Sequence, residues 1–123
     1  MSNVLVDTSV WVEHLRQGSE RLETLLLEGQ VLAHPMVIGE LALGRLRHRR
    51  DILAWLDELP RAAVASHAEV LAFIERRSLM GRGIGYVDAH LLAATVLSAP
   101  ARLWTLDRRL RAVGIELGCA LPK

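Results

Sequence analysis

Apolar residues in this chain fall into short blocks that alternate between two periods. Val4, Leu5 and Val6 form a continuous apolar run of the kind expected of a central strand covered on both faces. Asp7 ends the run abruptly, and Thr8 or Ser9 can cap a helix carrying Trp11, Val12 and Leu15. Gln17-Gly18 stops that helix, and Ser19 starts a second with Leu22, Leu25 and Leu26 inward and Gly29 as its stop. Val31-Leu32-Ala33 reads as another short strand. Pro35 then opens a third helix at a position where a missing N–H does no harm, and the pattern runs on to Gly44. A basic run, Arg45-Leu46-Arg47-His48-Arg49-Arg50, follows. Asp51 is the expected cap of a helix burying Ile52, Leu53, Trp55, Leu56 and Leu59, with Pro60 ending it.

In the second half, Ala62-Ala63-Val64-Ala65 is a weak strand, called for mainly by the alternation itself. Ser66 caps a longer helix with Val70, Leu71, Phe73 and Ile74. Gly81-Arg82-Gly83-Ile84-Gly85 is a flexible link into the next helix; no strand precedes it and its spacing is wrong for a dinucleotide fingerprint. Leu91, Leu92 and Val96 then keep helical spacing, with Asp88 in the first turn and Pro100 as the stop. Arg102 to Asp107 reads as a strand with a carboxylate at its end. A short helix decorated by Arg108, Arg109 and Arg111 follows, and Gly114 is expected to turn the chain into an edge strand at Ile115-Glu116-Leu117. Alternating strands and helices predict an α/β fold, a three-layer α/β/α sandwich around a mainly parallel sheet of roughly five strands. Residues 1–123 are expected to make a single domain, with no repeats, linkers or low-complexity segments.

Composition narrows the functional classes. At 51% hydrophobic residues the chain is not disordered. A domain of 123 residues buries roughly 65% of its unfolded surface, enough for a real core. It leaves no room for a second, substrate-enclosing domain, which favours a large polymeric substrate. No apolar run approaches the roughly 20 residues of a membrane span, and no basic-then-apolar leader opens the chain; a cytoplasmic protein with no membrane partner is expected. The single cysteine, Cys119, excludes an internal disulfide and a cysteine-based zinc site and reads as a small buried hydrophobe. The five histidines show no ligand spacing; His90 is expected to pack or hydrogen-bond. Trp11, Trp55 and Trp104 are read first as core residues, with an interface or base stacking as the other role open to them.

Charge becomes informative only through four acids. Asp88 is the only formal charge between Gly83 and Ala101, and Glu40 the only one between Pro35 and Gly44. Asp7 and Asp107 each follow an apolar strand. Taken singly, each has an ordinary explanation: Asp7 and Asp88 as helix-start carboxylates favoured by the macrodipole, Glu40 as a solvated helix residue. Taken together they converge, because carboxylates beyond the C-terminal ends of parallel strands lie at the edge where such sheets bind ligands. Carboxylates so packed repel, and either a raised pKa or a divalent cation relieves the repulsion. An all-oxygen donor set favours Mg²⁺ or Mn²⁺ over zinc, and such an ion can activate water for attack on a phosphodiester. With four acids assigned to this cluster, ten remain against 15 bases, fourteen of them arginine. Arginine forks suit phosphate, although a GC-rich genome would leave the same bias. The run from Arg45 to Arg50 is either a phosphate-facing edge or the solvated end of a helix.

These residues resemble PIN-domain ribonucleases, most closely the VapC toxins of toxin–antitoxin pairs. The resemblance covers nearly the whole chain. It is carried by the strand ending in Asp7-Thr8-Ser9 with Trp11 following, by Glu40-Leu41, by Ile84-Gly85-Tyr86-Val87-Asp88-Ala89-His90-Leu91-Leu92-Ala93, and by Leu103-Trp104-Thr105-Leu106-Asp107. It implies a metal-dependent endoribonuclease in which Asp7, Glu40, Asp88 and Asp107 bind Mg²⁺ or Mn²⁺ and Thr8, Ser9 and Thr105 supply supporting hydroxyls. It further implies an RNA substrate, a cognate antitoxin and a homodimer. Arg45, Arg47, Arg49, Arg50, Arg82 and Arg108 are the candidate RNA contacts. Three other readings stand beside it. A haloacid-dehalogenase-type phosphatase also begins with a strand ending in Asp, but it needs a second Asp where this chain has Ser9, and a lysine where this chain has only the terminal Lys123. A receiver-like signalling module lacks the same lysine and the adjacent acidic pair. A catalytically silent RNA- or antitoxin-binding relative would share every motif.

Overall fold

The computed structural model describes residues 2–122. Its elements are β1 (Val4–Val6), α1 (Thr8–Gln17), α2 (Glu20–Leu27), β2 (Val31–Leu32), α3 (Pro35–Leu43), α4 (Arg49–Glu58), α5 (His67–Arg77), α6 (Tyr86–Leu97), β3 (Arg102–Trp104) and α7 (Arg108–Glu116). The strands form a parallel sheet in the order β2-β1-β3, with Leu5 opposite both Leu32 and Leu103. The central strand is buried on both faces: Val4 is 2% exposed, Leu5 and Val6 0%. That is why its sequence is a continuous apolar run.

Each edge is extended by one further chain segment reduced to a single parallel bridge. Arg61 pairs with Ala33 beyond β2, and Ala120 pairs with Leu103 beyond β3. Five segments thus lie side by side, but the outer two differ from expectation. The strand expected over Ala62–Ala65 stops at once, because the Ala63 N–H turns away to donate to Ser98 Oγ at 2.9 Å. The strand expected at Ile115–Leu117 is the last turn of α7. Leu110, Val113 and Gly114 are buried on one face of that helix, a helical spacing that outweighs the local Ile-Glu-Leu alternation. Gly114 does not turn the chain. It lies inside the helix, where a Cβ would stand 3.3 Å from Ala120 Cβ, so its lack of a side chain lets the C-terminal segment reach the sheet.

Helix starts follow local capping chemistry. Ser19 accepts from the Leu22 N–H, and Ser66 with Glu69 makes a reciprocal capping box, as their positions suggested for the serines. Helix α4 begins at Arg49 behind a left-handed His48 (φ 53°), ahead of the expected cap Asp51. Arg49 and Arg50 therefore occupy the first turn of a helix. They are not at a helix C-terminus, where the dipole would favour them.

The chain runs from β1 outward through β2 to Arg61, then returns to β3 on the other side of β1. Helix α1 packs on α3, α3 on α4 and α5 on α6, while α6 and α7 cover β3. Trp11, 1% exposed, is core, and Trp55 meets it edge-on at 5.9 Å. Cys119 is buried and its thiol is pushed up by burial, as befits an inert hydrophobe. The direction reverses between β1 and β3, and that switch point is where the acids were expected.

Candidate active site

Asp7 is the first residue beyond β1, and its N–H donates to the Trp104 carbonyl at 2.9 Å, locking the ends of β1 and β3 together. It occupies the N-cap position of α1, yet its side chain makes no capping bond. The carboxylate is instead buried, at 6% exposure, and Oδ2 accepts from Ser9 Oγ and Thr105 Oγ1, each at 2.7 Å. Both hydroxyls do double service. Ser9 Oγ accepts from the Leu106 N–H at 3.1 Å, and Thr105 Oγ1 accepts from the Asp107 N–H at 3.0 Å. The segment after β3 is thereby tied to the first turn of α1.

Asp107 stands past the end of β3, which closes at Trp104, and serves as N-cap of α7. Its Oδ1 accepts from the Leu110 N–H at 3.0 Å, and Oδ2 makes no hydrogen bond among the described residues. On the other flank, His34 Nδ1 caps α3 through the Met36 N–H, with Pro35 in the first turn. Glu40 comes out exposed on this helix, and Thr8 Oγ1 donates to its Oε1 at 2.6 Å. Thr8 therefore joins Glu40 to the residue next to Asp7. Asp88 lies in the first turn of α6, where Oδ2 accepts from the Gly85 N–H at 2.9 Å.

The other three acids contribute to the field at Asp88. The half-buried Asp88 carboxyl is pushed above the usual carboxylate range, first by burial and then by the fields of Asp7, Asp107 and Glu40, against the lowering effect of the Gly85 N–H. Excess negative charge is concentrated here, and every donor is an oxygen. Among the described residues no three of His, Cys, Asp and Glu are placed so that they could together hold a metal ion. Mg²⁺ usually retains several waters and takes only one or two carboxylates directly, so it does not require such a group. The residues present fit a hard divalent cation and do not fit zinc.

Histidines stand apart from this group. His34 is fully buried and its ring is lowered to about 4, by burial first and then by His90 and Arg61. His90, also buried, packs edge-on to Tyr86 at 4.7 Å, a packing role as expected.

Among the candidate RNA contacts, Arg82 is engaged in a bidentate pair with Glu116 at 2.8 and 2.9 Å. Arg45, Arg47, Arg49 and Arg50 are exposed at the α3–α4 corner, and no hydrogen bond or ion pair among the described residues joins them to the acids. Arg108 is different: it follows Asp107 directly and lines a cleft that also takes in Arg21, Arg111 and Trp104. Arg111 was visible only as one of the arginines on the last helix and Arg21 gave no sign in the sequence, because only the fold brings Arg21 beside α7.

The profile of the family described as PIN domain matches residues 4–116. The chain belongs to the PIN-domain family. Two curated relatives, each named Ribonuclease VapC32, come from Mycobacterium tuberculosis strains CDC 1551 / Oshkosh and ATCC 25618 / H37Rv. Each is 50% identical over 120 residues, covering 98% of this chain and 97% of the relative. This PIN domain therefore stands with the VapC-type members, as the motifs suggested. Among solved structures, PAE2754 from Pyrobaculum aerophilum superposes with a TM-score of 0.60 at 19% identity, covering 91% of this chain and 79% of that one; the likeness is one of fold.

Proposed function

We propose that this protein is a divalent-metal-dependent endoribonuclease, the toxin of a toxin–antitoxin pair, with Asp7, Glu40, Asp88 and Asp107 as its metal-binding acids. The observation that carries the reading is the buried Asp7 carboxylate held by Ser9 and Thr105 at the ends of β1 and β3, supported by an Asp88 carboxyl raised first by burial and then by the other acids. The name and 50% identity of the VapC32 relatives support RNA as the substrate and imply a cognate antitoxin. A homodimer and a cytoplasmic location belong to the same reading. No helix among the described residues is long and apolar enough to cross a membrane.

Bound at the acids, Mg²⁺ or Mn²⁺ would lower the pKa of a water and neutralise charge on the phosphodiester during in-line displacement. The chain's own residues prepare that site. Ser9 and Thr105 fix the rotamer of Asp7, Thr8 fixes Glu40, and the Gly85 N–H fixes Asp88. Water is the expected nucleophile, with no covalent enzyme intermediate, and the Thr8, Ser9 and Thr105 hydroxyls serve to orient the carboxylates. Ser9, in the place of a phosphatase's second Asp, is a donor to Asp7 and offers no acid/base carboxyl.

The test is incubation of the antitoxin-free protein with mixed tRNA, rRNA and a structured mRNA in Mg²⁺, Mn²⁺ or EDTA. Discrete cleavage that EDTA abolishes is expected. No cleavage of any RNA by a protein that binds Mn²⁺ in calorimetry would instead establish the silent binding module.

A further inference from the structure

We propose that the cleft between α2 and α7 is an RNA subsite that holds a nucleotide flanking the bond to be cut. The cleft measures about 650 Å³ and is lined by Arg21, Arg108 and Arg111 together with Trp104, Leu106 and Ile115, with no acidic residue in its wall. Leu106 and Ile115 are 54% and 53% exposed, so the apolar side of the cleft lies open beside its cations. A phosphate needs the guanidiniums and a base needs a flat apolar or aromatic surface; a nucleotide is the ligand class that uses both at once.

The aromatic wall carries a cation on its face, so a base would stack on the Arg21–Trp104 pair rather than on the bare ring. The Arg21 guanidinium lies 5.2 Å from the centre of the Trp104 ring, and its Nη2 donates to the Pro122 carbonyl at 2.7 Å, holding that geometry in place. Neither Arg108 nor Arg111 has an ion-pair partner among the described residues, so both are free to meet an anion.

Position decides which anion. Thr105 lines the cleft and also donates to Asp7 at 2.7 Å, and Arg108 follows Asp107 in the chain. The cleft thus shares Thr105 with Asp7, and a strand whose phosphodiester lies at the acids must lead its neighbouring nucleotide along it or away from it. Two cations without ion-pair partners, Arg108 and Arg111, and the Arg21–Trp104 platform favour the first course. The inference rests on the nuclease reading for the identity of the polymer, but its test does not need turnover.

The test titrates the intact chain in EDTA with a mixed-sequence single-stranded RNA of about ten nucleotides, a length in the range of single-strand sites. Anisotropy of labelled RNA and tryptophan fluorescence are read together at several salt concentrations. Arg21→Ala and Arg111→Ala are each expected to weaken binding about tenfold and to reduce the salt slope by about one, whereas Arg76→Ala, on α5, binds as the wild type does. Trp104→Phe is expected to remove the RNA-induced quench. Binding unchanged in both Arg21→Ala and Arg111→Ala overturns the proposal, and so does polyglutamate of matched charge binding as tightly as RNA, which would assign the cleft to an acidic protein segment. RNA cleavage with cleft-independent binding would refute the subsite alone; cleft-dependent binding without cleavage would refute the nuclease alone.

Discussion

Thr105 Oγ1 donates to Asp7 Oδ2 at 2.7 Å across 98 residues of sequence. The bond joins the residue beyond β1 to the segment beyond β3, and the same oxygen accepts the Asp107 N–H. One hydroxyl therefore orients one proposed ligand by its side chain and another by its backbone. Thr105→Val keeps the shape and deletes both functions. It is expected to destabilise the fold by about 2 kcal/mol, the scale of a hydrogen bond to a charged group, and to slow cleavage at least tenfold. Urea unfolding and a cleavage time course check the two effects, and Thr105→Ser should restore most of both.

Asp88 stores electrostatic strain in the metal-free protein. Its carboxyl is raised in the folded state, so its contribution to stability is fully present below the ordinary carboxylate pKa and is lost as pH rises through the raised value. Asp88→Asn can still accept the Gly85 N–H but cannot ionise. In EDTA the variant should melt higher than the wild type at pH 7, with the gap closing at acid pH; melting curves across pH decide it. An unchanged gap would show that the Asp88 carboxyl is not raised in the folded protein.

His34 has the opposite pH signature. Its folded ring is lowered from the ordinary 6.5 to about 4, so the unfolded chain takes up a proton first as pH falls. Stability present above pH 6.5 is expected to fall away between there and about pH 4. His34→Asn keeps a cap acceptor for the Met36 N–H. It should be less stable at pH 7, from the lost ring, but should show a flatter profile over that window in denaturant melts.

Gly114→Val tests the close approach of α7 to the C-terminal segment. Its Cβ would stand 3.3 Å from Ala120 Cβ, with two further methyls to place. Overpacking of this kind costs about 1–3 kcal/mol, and a loss in that range is expected in urea unfolding. Because Ala120 bridges to Leu103 on β3, proteolysis at the C-terminal segment should accelerate as well.

Legibility of the fold tracked how local the deciding forces are. The Val4–Val6 strand, the Ser19 and Ser66 caps and the helix behind Asp88 were readable because their signals lie within a few residues. Ile115–Leu117 misled because its two-residue alternation is also the end of a helical stripe begun at Leu110, and only packing against Ala120 selects between them. The four acids stood out as lone charges in apolar segments, and the electrostatics at Asp88 accord with their grouping. The exchange of hydroxyls could be named but not paired: nothing local says that Thr8 serves Glu40 while Thr105 serves Asp7. Arg82 had the right type for phosphate but is held by Glu116, and Arg21, silent in sequence, faces the cleft.

The most direct measurement is the cleavage rate of Asp88→Asn against wild type in Mn²⁺, on whichever RNA the wild type cuts, with melting curves confirming that both are folded. Loss of a positioned charged ligand should reduce the rate at least a hundredfold, roughly the scale of removing one transition-state contact in other enzymes. A folded Asp88→Asn protein that cuts at the wild-type rate would contradict the account, because the carboxyl on which the other three acids converge would then take no part in the chemistry.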